Sequence, residues 1–391
     1  MAMRRWRLPA SLLVLALLQA CGGGAAPQAA LPPAPPPASG AEPLSDAAQL
    51  GQQMFVDTSL SASGTLSCAG CHVPGNAHAP ANALAVQLGG ADGRTPGRRA
   101  TPSLRYQSFT PPFKLDANGV PSGGYDADGR VSTLAEQAAS PLLAAHEMAN
   151  LSKEAVLDKV RKAPYAERFR TVFGAAIFDD TALAFERVTF ALQQFQRQEA
   201  AFRPFDSKFD RHLAGQAVLS AAEQRGLALF NERSKGNCAA CHSSTPLSDG
   251  TPPLFTGFGY YNLGVPRRPG SEAGADLGLC GPERSDLLAR SDLCGAFKVP
   301  SLRNVATRQV FFHNGAVGSL RAAVRFHVQR DSDARAWYGG EMYDDLPPQY
   351  RANVVRSAPF DRGAGNPPAL SETEIDEVVA FLKTLSDGYQ P

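Results

Sequence analysis

Cys68-Ala69-Gly70-Cys71-His72 and Cys238-Ala239-Ala240-Cys241-His242 are two copies of one pattern, C-x-x-C-H, and their reading decides the fold. Two thiols at this spacing can bond to the two vinyl groups of one haem, and the adjacent histidine is then held beneath the iron as proximal ligand. A lone C-x-x-C also suits a redox dithiol or half of a zinc site. Duplication, with a histidine closing each copy, turns the reading towards two covalently attached haems c.

The N-terminus supports that reading. Arg4, Arg5 and Arg7 precede an apolar stretch from Leu8 to Leu18, the layout of an export leader over residues 1–21 and too short for a good membrane span. The leader ends Leu18-Gln19-Ala20-Cys21, which resembles a bacterial lipobox whose cysteine is lipidated. Gln19 stands where a small residue is preferred, so a cleaved secretory signal with an incidental cysteine is the alternative. In either case the expected location is the periplasm, with membrane contact only through a lipid anchor on Cys21. Residues 22–44, nearly all Gly, Ala and Pro, offer too little apolar side chain to fold and read as a flexible tether.

Of the seven cysteines, Cys280 and Cys294 remain. In an oxidising compartment they are expected to pair as a disulfide, with a free or metal-binding pair as the other reading. A chain of 391 residues that is 43% hydrophobic, with net charge +1, describes a soluble globular protein of two ordinary domains. It carries no basic stripe, so nucleic acid is not an expected partner. Beyond the leader no apolar run approaches the ~20 residues of a bilayer span.

The surroundings of the two motifs repeat. Gly51-Gln-Gln-Met-Phe55 and Gly226-Leu-Ala-Leu-Phe230 each end a short amphipathic helix. The second opens at Ser220-Ala-Ala-Glu223, a capping box in which each side chain can satisfy the other residue's amide. Apolar periods of three to four predict a closing helix in each half. One runs from Thr181 to Gln196 and carries Leu183, Phe185, Val188 and Phe195. The other runs from Glu372 to Leu385, is opened by Ser371 with Glu374, and carries Ile375, Val378, Val379, Phe381 and Leu382. The predicted fold is mainly α, with two cytochrome c-like domains over residues 45–205 and 206–391, one haem each, and long Gly/Pro-rich loops.

From residue 45 to 390 the order of motifs resembles the bacterial di-haem cytochrome c peroxidase and MauG superfamily. Asp128-Gly129-Arg130, followed by Leu134, Gln137, Pro141, Glu147 and Met148, resembles that family's D-G-R … E-M stretch. Phe297-Lys-Val-Pro-Ser-Leu-Arg-Asn304 and Phe312-His-Asn-Gly315 resemble its F-K-x-P-[ST]-L-R-N and F-H-[DN]-G motifs. The stretches Asp276 to Pro282, Trp337-Tyr338, Tyr343 to Pro347 and Asp387 to Tyr389 are similar to a MauG-like subgroup. Some members of that subgroup are paired with a secreted copper-binding protein that they oxidise on a tryptophan.

The resemblance implies a division of labour. The N-terminal haem, on His72, reacts with hydrogen peroxide and needs an open sixth position; the C-terminal haem, on His242, is six-coordinate and moves electrons. Many family peroxidases carry a blocking histidine after the first motif. The matching stretch Val86-Gln-Leu-Gly-Gly-Ala91 has none, and His78 falls early for that role, so an open iron is expected. Glu147 aligns with the distal acid that moves peroxide's proton from the near oxygen to the leaving one. Gln137 is a polar neighbour in the same pocket, whereas His146 reads as packing or surface. Counting through Ala323-Val324-Arg325-Phe326 brings His327 to the sixth-ligand position of the second haem, where relatives have Met or Tyr. Imidazole in place of thioether lowers the potential, which suits a store of oxidant. His313 belongs to the turn motif, and His212 reads as a solvated helix residue.

Two departures stand out. The family's tryptophan before D-G-R is Ala127, the chain's two tryptophans being Trp6 and Trp337, and Tyr125 is the candidate substitute relay. The asparagine expected before Pro102 for an inter-domain calcium is missing from Arg99-Ala100-Thr101, leaving carbonyls near Lys298 and Pro300. Calcium is therefore admitted rather than demanded, as is a homodimer. Three functions follow, in order of preference. The first is a peroxide-dependent enzyme that oxidises a partner protein's side chain. The second is a peroxidase that makes water with electrons from a small cytochrome or copper protein. The third is a passive electron carrier. His327 and the absent blocking histidine favour the first, the missing tryptophan counts against close similarity to MauG, and Glu147 weighs against the third.

Overall fold

The computed structural model describes residues 42–271 and 274–390; the leader, Cys21 and the tether up to residue 41 lie outside the described residues. The first half holds helices α1 (Asp46–Val56), α2 (Cys68–Cys71), α3 (Leu134–Leu143), α4 (Lys153–Lys162), α5 (Ala166–Phe173) and α6 (Thr181–Gln198). After the short α7 (Lys208–Leu213) come α8 (Ala221–Asn231), α9 (Leu320–Gln329) and α10 (Glu372–Lys383). Extended structure is confined, among the described residues, to three antiparallel pairs of two-residue strands: β1 (Leu88–Gly89) with β2 (Thr95–Pro96), β3 (Lys114–Leu115) with β4 (Pro121–Ser122), and β5 (Tyr260–Tyr261) with β6 (Phe297–Lys298). The protein is mainly helical, and among the described residues no helix is long and apolar enough to cross a membrane.

One helix crossing occurs twice. α1 packs on α6 and α8 on α10, and each contact turns on a glycine. A Cβ on Gly51 would lie 2.0 Å from the Ala191 carbonyl oxygen, and one on Gly226 would lie 1.9 Å from that of Glu377. The capping boxes form as the sequence predicts. Ser220 accepts from the Glu223 amide at 3.3 Å while Glu223 accepts from Ser220 at 2.6 Å, and Ser371 and Glu374 repeat the exchange. α6 runs beyond Gln196 to Gln198. α10 stops at Lys383, short of Leu385, which is nonetheless fully buried. There the apolar period continues into a turn, where sequence alone cannot separate the two.

Behind each motif sits a cluster of four rings. Phe55, Phe195 and Phe202 meet at centroid distances of 5.2–6.0 Å, and His78 stacks on Phe202 at 4.0 Å. In the second half Phe230, Phe381 and Phe209 take the same parts, and Phe255 stands where His78 does. The two apolar cores divide between Phe202 and Phe209, and a further cluster of Phe326, Tyr338, Tyr343 and Phe360 backs α9. Polar contacts tie the halves together. Tyr106 donates to Asp387 at 2.6 Å, Arg105 pairs with the same carboxylate at 2.9 Å, and the Arg303 guanidinium lies over Tyr106 and Phe205. Cys280 and Cys294 are joined as a disulfide with Cα atoms 4.9 Å apart.

Candidate active site

Each C-x-x-C-H histidine has one ring nitrogen fixed. His72 Nδ1 lies 3.2 Å from the His78 carbonyl, and His242 Nδ1 lies 3.0 Å from that of Phe255. A carbonyl can only accept, so Nδ1 carries the proton in both rings and Nε2 keeps its lone pair for a metal. Burial holds both imidazoles at about 4, well below the usual histidine value, so they stay neutral at physiological pH.

The loops that present these carbonyls also repeat, on a motif that the sequence reading passed over. Pro102-Ser103-Leu104-Arg105 and Pro300-Ser301-Leu302-Arg303 are the same four residues. Leu104 donates its amide to His78 and Leu302 to Phe255, and the Ser103 and Ser301 hydroxyls anchor the strand before each carbonyl, on Ala77 and Leu254, at 2.6 Å. His78 is therefore a buried residue beside His72 on the loop that orients it, stacked on Phe202.

In the second half Cys238, Cys241, His242 and His327 line one cavity of about 320 Å³, walled by Phe230, Val378 and Leu382. His327 projects from α9. Its Nδ1 lies 2.8 Å from the Ala323 carbonyl one turn back, again leaving Nε2 free, and Phe312 and Phe360 flank the ring. Burial lowers its pKa. Thiols, two neutral imidazoles and apolar walls are the donor set that a covalently attached haem needs. Arg308 also borders the cavity and pairs with no carboxylate among the described residues; it donates to Thr101 and Val310 carbonyls. A buried cation without an anion fits a cofactor that bears carboxylates.

Glu147 follows α3 on a turn that β1 holds in place: Gly90 donates its amide to the Glu147 carbonyl at 2.7 Å, and a Cβ on Gly89 would meet the His146 carbonyl oxygen at 2.3 Å. Its side chain keeps 44% of its surface accessible. Even so, the surrounding protein desolvates the carboxyl, and the Asp126 charge adds to that, raising it to about 7 against the pull of Arg130. The Cys68 and Cys71 thiols both feel the Glu147 charge, which puts it beside the first motif. Gln137 on α3 donates to Asp126 Oδ1 at 3.3 Å rather than to Glu147. Asp126 was invisible to motif reading because it lies just outside D-G-R, in a left-handed turn with φ 61°.

The other candidates fall outside this chemistry. His313 stacks on Phe297 at 3.7 Å beside Asp345, and His212 caps its own turn on the Ala217 carbonyl. Tyr125 is buried and donates to the Gln107 and Thr110 carbonyls. A second hollow, lined by Arg321, Arg325 and Trp337, includes no residue of either C-x-x-C-H motif.

Comparison with known proteins agrees with this geometry. A family profile described as di-haem cytochrome c peroxidase matches residues 45–218. The methylamine utilization protein MauG of Paracoccus denitrificans is 36% identical over 94% of this chain and 95% of its own. Among solved structures, the diheme peroxidase BthA of Burkholderia thailandensis superimposes with a TM-score of 0.82 at 36% identity, covering 90% of this chain and 88% of that one. A MauG-like protein associated with microbial copper homeostasis gives 0.63 at 26% identity, covering 92% and 95%. The chain belongs to the di-haem cytochrome c peroxidase and MauG family. It is a peroxide-dependent oxidoreductase with haem cofactors.

Proposed function

We propose that the protein is a MauG-like enzyme that reacts with hydrogen peroxide at the haem of an N-terminal cytochrome c domain, residues 45–205, and oxidises a side chain of a periplasmic partner protein. The haems, when bound, supply the redox chemistry: peroxide activation at the first and storage of oxidising equivalents between the two. The chain's own residues do the rest. His72 and His242 would each hold an iron through Nε2. The Glu147 carboxylate would accept the proton of one peroxide oxygen and return it to the other, which leaves as water. Gln137 takes a supporting part by holding Asp126.

The observation that carries this reading is His327, a neutral imidazole with a free Nε2 in the cavity of the second C-x-x-C-H motif. A second imidazole lowers that iron's potential and makes a higher oxidation state easier to reach. The similarity to a copper-homeostasis protein supports a copper-binding partner. The alternative is a peroxidase fed by a small redox protein, which Ala127 favours by leaving no tryptophan between the motifs. We further take the chain to be exported and tethered through a lipid on Cys21.

Low-temperature EPR of the oxidised protein, with and without His327→Ala, tests the reading. One high-spin iron and one bis-histidine low-spin iron that changes in the variant are expected. Two low-spin irons would remove the open peroxide site and leave an electron carrier or a peroxidase that needs reductive activation. Mass spectrometry of a candidate partner after peroxide treatment then separates side-chain oxidation from simple peroxidase turnover.

A further inference from the structure

A group of charged side chains beside the first motif is one positive charge short. Asp126, Asp128, Asp276 and Glu147 supply the carboxyls, and Arg99, Arg130 and Lys298 the cations. Arg99 is bidentate to Asp276 and also reaches Asp128 at 2.7 Å. Arg130 lies 2.9 Å from Asp128 and 3.1 Å from Asp126. The Lys298 amine donates to the Gly124 carbonyl; burial lowers it to about 8, while Asp126 and Asp128 pull the other way and favour its charge. His146, at the edge, does not supply the missing charge. His146, 4.0 Å from Glu147, is held neutral by burial and by the charges of Arg98 and Arg130. His313 faces Asp276 and Asp345, the acid of a separate contact.

A poorly solvated cluster of this kind keeps a proton rather than a net negative charge. Two members are free to hold it. Asp128 and Asp276 are committed to guanidinium groups. Asp126 accepts one hydrogen bond, from Gln137, while its Oδ2 is buried and hydrogen-bonds nothing, since Arg130 is near but not aligned. Glu147 has no hydrogen-bond donor of its own among the described side chains. The left-handed backbone at Asp126, uncommon away from glycine, holds that carboxyl in the cluster.

We propose that Asp126 and Glu147 act as a carboxyl pair that shares one proton, so that Asp126 sets the pH at which Glu147 can accept the proton of hydrogen peroxide. The inference rests on the Glu147 role given above and assigns Asp126 as a positioning residue that works through it. The step conserves charge. Once the pair has lost its shared proton, Glu147 is the anion that accepts a proton from peroxide, and the proton it accepts returns to the leaving oxygen.

The test is rapid mixing of the di-haem protein with hydrogen peroxide between about pH 5 and pH 9, following the haem absorbance. In the wild type the second-order rate constant should rise with pH, with a midpoint near neutrality. In Asp126→Asn the like charge is gone, so the midpoint should move acidward by about one unit with the plateau kept within about threefold. In Lys298→Gln, which removes a cation instead, it should move alkaline. Opposite shifts cannot come from loosened packing, and the second variant keeps the test open if the first fails to retain haem. Unmoved midpoints, with Glu147→Gln still slow, overturn the pairing and leave the Glu147 role standing. A Glu147→Gln variant as fast as the wild type removes the role on which the pairing rests.

Discussion

Gly226 packs so closely on the chain of Glu377 that a Cβ added to it would stand 1.9 Å from the carbonyl oxygen. This contact is backbone against backbone, so no side chain can rotate away to relieve it. Phe381 Cβ, 2.9 Å from the same point, closes the other side. Gly226→Ala must therefore push α8 off α10, the pair of helices behind the second haem motif. Overpacking of this kind costs about 2–3 kcal/mol. Thermal unfolding should show a Tm lowered by several degrees, and Gly51→Ala, against Ala191, should do the same from the first half. A Gly226→Ala protein as stable as the wild type would mean the crossing is looser than the structure gives.

Glu147→Gln keeps the size of the side chain and removes the base. Proton transfer by a positioned side chain contributes roughly 10²–10⁴-fold, so peroxide turnover should fall by that range. In the wild type the carboxyl lies at about 7 because burial and Asp126 both disfavour its charge. The anion is the active form, so the rate should fall about tenfold per pH unit on the acid side of that value. Steady-state assays with an artificial electron donor, run across pH, check both points. A pH-independent rate would assign the proton transfer to another group.

The parts of this site that were legible in the sequence are those in which chemistry fixes spacing. Two thiols and a histidine must be adjacent to hold one haem, and a capping box must span three residues. His72, His242, Ser220 and Ser371 could therefore be read directly. Glu147 is proposed as the distal acid only on resemblance, because nothing local distinguishes a distal acid from a surface glutamate. Asp126 was not readable, since its meaning depends on Gln137 from α3 and Arg130 converging on it. The repeated Pro-Ser-Leu-Arg was legible but passed over. In the second half the Cys280–Cys294 loop and its flanks lie between motif and repeat, so the two halves fall out of step.

On the ligation proposed for His327, His327→Met puts a thioether in place of the imidazole. The ring it replaces is held between Phe312 and Phe360, an apolar site that an unbranched thioether can fill. Redox titration should show the potential of the low-spin haem rising, with protein stability little changed. Oxidising equivalents then become harder to store, so modification of a partner should slow more than peroxide consumption. If both fall together, His327 is needed for folding or haem retention rather than for tuning.

Arg303 is wholly buried, bidentate to Asp210 at 2.8 and 2.9 Å, with its guanidinium over Tyr106 and Phe205 from the preceding segment. Removing it leaves a buried carboxylate without a partner, which costs about 3–5 kcal/mol. The pH dependence follows from Asp210. Burial alone would raise its pKa, but the hydrogen bonds and charge of Arg303, with Ser207, bring it below the ordinary carboxyl value. A folded-state pKa depressed in this way stabilises the protein at pH above about 4, and that contribution is lost as pH falls through the lower folded value. Arg303→Ala should thus cost most near neutral pH and progressively less in acid, where Asp210 takes up a proton and no longer needs the cation. Denaturant unfolding of the wild type and the variant at pH 7 and in mild acid measures the difference. A penalty that stays the same at both pH values would assign the loss to the stacking on Tyr106 and Phe205 instead of the ion pair.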